Sequence, residues 1–176
     1  RALVDAGGEG VAFGRHGRER LVVGLGPGGA DLGGGWHLIH LAPGQSVAAG
    51  LPMVVDADGL NIIAEGRVVP NPDGSQWVLT PHAGEAARLL GISVAEVQAD
   101  RFAAVRELQE KYSAVVLLKG PGTLIAGANE IIKVCPYGNP AMATAGMGDI
   151  LSGLIGGLIA QGCDLQTATE LGCCLH

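Results

Sequence analysis

Residues 138–162 read GNPAMATAGMGDILSGLIGGLIAQG. A glycine turn, Gly146-Met147-Gly148, runs into an apolar stretch, and one carboxylate, Asp149, stands at the junction. No charged residue follows between Ile150 and Ala160, so a helix here must be covered by protein. Its first turn carries free N–H groups and the positive end of the helix dipole. Gly146 and Gly148 bring no side chain to block them. That combination suits an anion, above all a phosphate. Asp149 at such a place is either a plain helix cap or a base set beside a phosphate to take a proton from an attacking hydroxyl. Ser152, Gly153, Gly156 and Gly157 behind it are small, which lets the helix pack closely against its neighbours.

Working back from this stretch, apolar runs alternate with helical patterns. RLVVGLGPGG (20–29) reads as a buried strand entering a glycine turn. LPMVVDADGLNII (51–63) is a second apolar run, broken by Asp56 and Asp58, and QWVLTPHAGEAARLLG (76–91) is strand, turn and short helix. Ser93 and Glu96 form an S-x-x-E capping box that opens a longer helix. Val94, Val97, Phe102, Val105, Leu108 and Tyr112 supply its apolar stripe. SAVVLLKGPGTLIAG (113–127) is strand, turn, strand, and NEIIKVCPYGN (129–139) is an edge-like strand. A helix is expected within 30–50, between two strands. The alternation predicts an α/β fold with a mostly parallel central sheet covered on both faces. In such sheets ligands bind beyond the carboxyl ends of the strands. Gly26–Gly29, Asp56 with Asp58, His82–Glu85, Lys119–Thr123 and Gly146–Asp149 all fall there.

Each turn has a chemical and a plain reading. In KGPGT (119–123) the Lys119 ammonium, the Thr123 hydroxyl and the backbone of Gly120 and Gly122 suit nucleotide phosphates; the alternative is a hairpin turn with a surface lysine. The spacing is not that of a P-loop. In TPHAGE (80–85) His82 can donate to a polar ligand and Glu85 can hold magnesium through water, or both residues serve only the helix start. In DADGLN (56–61) Asp56, Asp58 and Asn61 are oxygen ligands of the kind magnesium prefers, or they satisfy their own loop. His16, His37, His40 and His176 are read as structural or surface residues.

Composition narrows the class. The chain has 176 residues, 48% of them hydrophobic and 16% charged, and its mean hydropathy is +0.34. That is enough for a folded domain with a core and excludes disorder. The net charge of −6 and the absence of a basic stripe argue against nucleic acid. GRHGRER (14–20) is mixed in sign and reads as a solvated loop. No apolar run approaches the ~20 residues that span a bilayer, so no membrane partner is expected. The cysteines, 135, 163, 173 and 174, lack C-x-x-C spacing; buried reduced thiols in a cytoplasmic protein are expected. Residues 171–176 continue a helical pattern without a stop signal, so a fragment of a larger domain, cut at both ends, is expected.

Taken together, GLGPGG, VVDADGLN, LTPHAGEAARLLG, VVLLKGPGTLIAG and the 138–162 stretch resemble the ADP- or ATP-dependent NAD(P)H-hydrate dehydratases of the ribokinase-like superfamily. The resemblance runs from about Val22 to the end and is dense after residue 51. It implies one partial domain over 1–176 with a ribokinase-like three-layer fold. It implies repair of hydrated NADH or NADPH, with ADP or ATP as co-substrate and Mg2+ as the accompanying ion. By the same likeness Asp149 is the catalytic base, and His82, Asp149 and Gly28 touch the hydrate. Lys119, Gly120, Pro121, Gly122, Thr123, Gly146 and Gly148 bind the adenosine nucleotide, and Glu85 organises the metal. A homo-oligomer and a fused or separate epimerase are expected partners. The sequence departs from the family at Ala83, where a second proline is usual, in the register of the first glycine turn, and in lacking an upstream glycine-rich segment. Two other readings stand beside this one. One is a small-molecule kinase of the superfamily acting on a thiazole- or pyrimidine-type alcohol. The other is an inert nucleotide-binding fragment.

Overall fold

The computed structural model describes residues 11–14, 22–24, 37–39, 52–67, 76–128, 131–138 and 146–176. Its strands are β1 (Val11–Gly14), β2 (Val22–Gly24), β3 (His37–Ile39), β4 (Met53–Val55), β5 (Trp77–Leu79), β6 (Val115–Leu118), β7 (Thr123–Ala126) and β8 (Lys133–Cys135). The helices are α1 (Asp58–Ala64), α2 (Ala83–Leu90), α3 (Val94–Ala99), α4 (Arg101–Tyr112), α5 (Met147–Ala160) and α6 (Leu165–Leu175). The strands form one sheet in the order β3-β1-β2-β4-β5-β6-β7-β8. The centre, β2-β4-β5-β6, is parallel. Antiparallel pairs close both edges, β2-β1-β3 on one side and β6-β7-β8 on the other.

The period-2 alternation of strand side chains separates two cores. Met53, Val55, Trp77, Leu79, Val116, Leu118, Leu124 and Ala126 face one way, onto a cluster with Leu60, Ile63, Leu89, Val97, Val105 and Leu108 from α1–α4. Val54, Val78, Val115, Leu117 and Ile125 face the other way, onto Leu151, Ile155 and Ile159 of α5 and Ala168 of α6. Because both faces are covered, β4, β5 and β6 are apolar at every position and wholly buried. The expected three-layer α/β architecture is therefore present, with α5 and α6 as one layer and α1–α4 as the other. The two helices of the thinner layer sit close: a Cβ on Gly172 of α6 would lie 2.6 Å from Ile155 Cγ1.

Three details differ from expectation. The long helix opening at Ser93 is two helices. Asp100 leaves helical geometry at φ −144°, ψ 86°, ends α3, and accepts the Ala103 N–H at 2.9 Å to start α4. Its short side chain offers the backbone a cap in place of a continued helix. The apolar stripe is correspondingly imperfect: Val97, Val105, Leu108 and Tyr112 are buried, but Val94 and Phe102 are about half exposed, at 48% and 52%. Within 30–50 the described residues form a strand, His37–Ile39, paired antiparallel with β1; the rest of the expected helix lies outside the described residues. The strand Val11–Gly14 was not foreseen. The Ser93–Glu96 capping box is present, with Glu96 N–H to Ser93 Oγ at 3.2 Å and Ser93 N–H to Glu96 Oε2 at 2.8 Å.

The cysteines are all free, but only Cys135 is buried; Cys163 and Cys173 are half-buried and Cys174 is exposed. Burial, reinforced by the neighbouring Cys135, pushes the Cys173 thiol up to about 12. An unfolded thiol ionises near 8.5. The folded state therefore holds a proton that the unfolded state releases, and this contribution is intact below about pH 8.5 and lost as pH rises toward 12. Tyr112, whose burial also raises its pKa, acts in the same direction. The expected outcome is a urea midpoint that falls between pH 8 and 11, with a shallower fall in Cys173→Ala.

Candidate active site

Parallel strands end on the same rim, and the residues just past β4, β5 and β6 are Asp56, Thr80-Pro81-His82 and Lys119. Backbone bonds lash these ends together. Thr80 donates its N–H at 3.0 Å and its hydroxyl at 3.2 Å to the Val55 carbonyl, and Lys119 N–H donates to Pro81 O at 2.8 Å. Across this rim lies a chain of charges. Lys119 Nζ donates to Asp56 Oδ1 at 2.7 Å and stands 3.8 Å from Glu85 Oε2. Asp56 and Glu85 are nearly buried, at 7% and 6% exposure.

His82 caps α2. Its Nδ1 accepts from the N–H of Gly84 at 2.9 Å and of Glu85 at 3.3 Å, and its own N–H donates to Glu85 Oε2 at 2.7 Å. A ring nitrogen that accepts two amides carries no proton, so the neutral ring's proton is on Nε2. That nitrogen lies 3.4 Å from Glu85 Oε1. The helix-start reading of His82 and Glu85 is thus realised, while more than half of the His82 side chain, 54%, stays exposed. Asp56 has partners on both oxygens: Oδ1 takes Lys119 and the Ala57 N–H at 2.9 Å, and Oδ2 takes the Ser152 hydroxyl at 3.4 Å. Asp58 Oδ1 accepts from Asn61 Nδ2 at 3.3 Å. The DADGLN turn therefore satisfies itself only in part, through Ala57 and the Asn61–Asp58 bond, while Asp56 is also held by Lys119 and Ser152 from distant elements.

The 119–123 turn is a hairpin loop joining β6 to β7. Gly120 at φ +147° and Gly122 at φ +62° adopt backbone that other residues resist. Arg101, the first residue of α4, holds the loop from below. Its Nη1 donates to the carbonyls of Pro121 and, at 3.1 Å, Gly122, and its Nη2 to Leu118 O at 3.2 Å. Partial burial lowers the guanidinium pKa. Thr123 Oγ1 donates inward to Gly120 O at 3.1 Å, so its proton serves the turn. Sequence reasoning missed Arg101, although a cation at a helix N-terminus opposes the dipole and so signals another task. Arg101→Ala leaves two loop carbonyls and that of Leu118, at the end of β6, without this donor. It is expected to cost about 2 kcal/mol in urea unfolding and to speed amide exchange across 119–123.

The α5 turn completes the rim. Gly146 starts the helix at φ +87° and provides no side-chain cap. Asp149 in that first turn is exposed, and among the described residues its carboxylate makes no hydrogen bond. The N-cap position is Gly146, and Asp149 stands three residues inside the helix. Gly148 packs directly on the charge chain: a Cβ there would lie 2.9 Å from Asp56 Oδ2 and 3.7 Å from Lys119 Nζ. His176 touches the same turn from outside, its Nε2 bonding Met147 O at 2.8 Å, which fits its structural reading. Asp56, His82, Glu85, Lys119 and Gly148 are thus brought together, with Asp149 beside them. Gly28 and its turn lie outside the described residues. Among the described residues no three His, Cys, Asp or Glu side chains converge to hold a metal ion, and no helix is long and apolar enough to cross a membrane.

Comparison with known proteins shows the family and the fold. The family model for NAD(P)H-hydrate dehydratase matches residues 18–176. A bifunctional NAD(P)H-hydrate repair enzyme of Coxiella burnetii is 56% identical over 126 residues, covering 72% of this chain and 25% of that protein. The ADP/ATP-dependent NAD(P)H-hydrate dehydratase of Bacillus subtilis, crystallised with ATP and Mg2+, superposes with a TM-score of 0.66 at 32% identity, covering 74% of this chain and 45% of that one. A ribokinase-like superfamily protein of Enterococcus faecalis superposes at 0.68 with 25% identity, over 88% of this chain and 52% of that one. The chain therefore spans a quarter to a half of these relatives. With one sheet between two helix layers, a rim of converging turns and a match over nearly its whole length, this chain belongs to the NAD(P)H-hydrate dehydratase family and has a ribokinase-like fold.

Proposed function

We propose that the protein containing this chain removes water from hydrated NADH or NADPH, with ADP or ATP as co-substrate, and that residues 1–176 form one partial domain of it. One observation carries the reading: an exposed carboxylate, Asp149, stands in the first turn of a buried helix, with no hydrogen bond among the described residues, next to a glycine that packs on the Asp56–Lys119 pair. The hydrate's ring hydroxyl attacks the terminal phosphorus of the nucleotide while Asp149 takes the hydroxyl proton. The shortened nucleotide leaves, and the free N–H groups of the α5 turn stabilise charge on the transferring phosphoryl group. The ring then loses phosphate with its C–O bonding pair, gives up a neighbouring proton and regains its double bond. His82 Nε2 and the turn around Gly28 hold the hydrate. Lys119–Thr123, Gly146 and Gly148 bind the nucleotide, mainly through backbone groups, since the Lys119 ammonium is already paired.

Magnesium would enter this rim as an ion carried on the nucleotide phosphates, and Glu85 is the carboxylate that would hold it through water. When bound it neutralises phosphate charge. The free thiols suit a reducing, cytoplasmic location. The bifunctional relative makes a second activity, an epimerase, the expected companion, and self-association is expected of the whole protein. The test is incubation of full-length protein with hydrated NADH and either nucleotide. Recovery of the reduced-nicotinamide absorbance with release of inorganic phosphate supports the reading. A stable phosphorylated product without recovery points instead to a kinase for a small alcohol.

A further inference from the structure

We infer that Asp56 is a positioning residue for the catalytic turn: it seats the start of α5, and hence Asp149, against the end of the sheet. This rests on the role proposed for Asp149. Three elements meet on this one carboxylate. Its own segment follows β4, and the Ala57 N–H fixes Oδ1 at 2.9 Å. Lys119, from the end of β6, donates to the same oxygen at 2.7 Å. Oδ2 faces α5, where Ser152 Oγ donates at 3.4 Å and Gly148 lies so close that a methyl would sit 2.9 Å away.

Gly148 and Ser152 are four residues apart and so share one helix face, and Asp149 sits between them in sequence. Gripping that face fixes the rotation of the helix about its axis, and with it the direction in which Asp149 projects. Lys119 and Ala57 in turn hold the Asp56 carboxylate still, so α5 is registered against two strands at once. A shift of even 1 Å at the reacting carboxylate is costly, because proton transfer demands hydrogen-bond reach. The same contact explains the glycine at 148. Any side chain there pushes the turn off Asp56.

The two residues should therefore behave as one unit. In full-length protein, Gly148→Ala and Asp56→Ala are each expected to lower kcat by about 30-fold. The double variant should fall no more than about threefold below Asp56→Ala, instead of by the product of the two losses, because the added methyl no longer meets a carboxylate. Asp56→Asn keeps the shape and the Ser152 acceptor but gives up the charge partner of Lys119. It should lose about tenfold in kcat with KM for ATP within about threefold. Multiplicative losses, or an Asp56→Ala variant that melts earlier yet turns over normally when folded, overturn the inference. So does an Asp56→Asn variant with wild-type kcat. Melting supplies a readout independent of turnover: Gly148→Ala should lower the midpoint in the wild-type background and not in Asp56→Ala. If the wild-type protein does not act on the hydrate, the proposed function fails while this coupling still reads the contact. Equal shifts in both backgrounds sink it.

Discussion

Asp149→Asn in the full-length protein should lower turnover of hydrated NADH by about 10²–10⁴-fold, the range for loss of a positioned general base. Nucleotide affinity should stay within about threefold, since the substitution is isosteric and the anion-binding N–H groups are untouched. This pairing discriminates. A carboxylate that merely complemented the helix dipole would contribute only about 0.3–1 kcal/mol of stability, and its loss would shift the melting midpoint slightly and leave kcat alone. The structure bears on the choice, because Asp149 is exposed and makes no capping hydrogen bond among the described residues. A folded variant with wild-type turnover would remove Asp149 from the mechanism. If neither wild type nor variant turns over but both bind nucleotide, the inert-module reading gains instead.

Lys119→Met should be the most destabilising single change on the rim. Which regime of ion pairing applies is decided by exposure. The side chains of Lys119, Asp56 and Glu85 are only 25%, 10% and 7% exposed. An exposed pair contributes at most about 1 kcal/mol. Removing one partner of a buried pair strands the other charges and costs about 3–5 kcal/mol. The lower end of that range corresponds to a midpoint drop of roughly 6–12 °C in a domain of this size. The loss should be recovered in large part by Lys119→Met combined with Asp56→Asn and Glu85→Gln, which leaves no buried charge unpaired. Thermal unfolding of the single and triple variants measures this. A single variant within about 1 kcal/mol of wild type would show that water reaches the rim freely.

How much could be read in advance varied by element. β4, β5 and β6 were plain as apolar runs because a strand buried on both faces has no polar position. The Ser93–Glu96 box and the 119–123 hairpin were plain because capping and glycine turns are local. The break at Asp100 was hidden inside a continuous helical pattern, though a capping residue stood at the spot. In the site, Asp56, His82, Glu85 and Lys119 were picked out individually, but not who holds whom. Asp56 looked like a metal ligand and is the partner of Lys119 and Ser152. Thr123 looked like a phosphate donor and bonds its own turn. Arg101 went unnoticed because its three carbonyl partners lie 17 to 21 residues away.

The amino-acid sequence by itself determined the alternation of elements, the family likeness and the identity of the turns, since these depend on local periodicity, backbone freedom and capping. Only the tertiary structure decided the pairing of charges. Lys119 and Asp56 are 63 residues apart in the chain, and Ser152 and Asp56 are 96 apart. Such partners are chosen by which strand ends share a rim and by how closely α5 can approach it. That closeness depends on the missing side chain at Gly148, whose meaning appears only when the carboxylate across from it is in place.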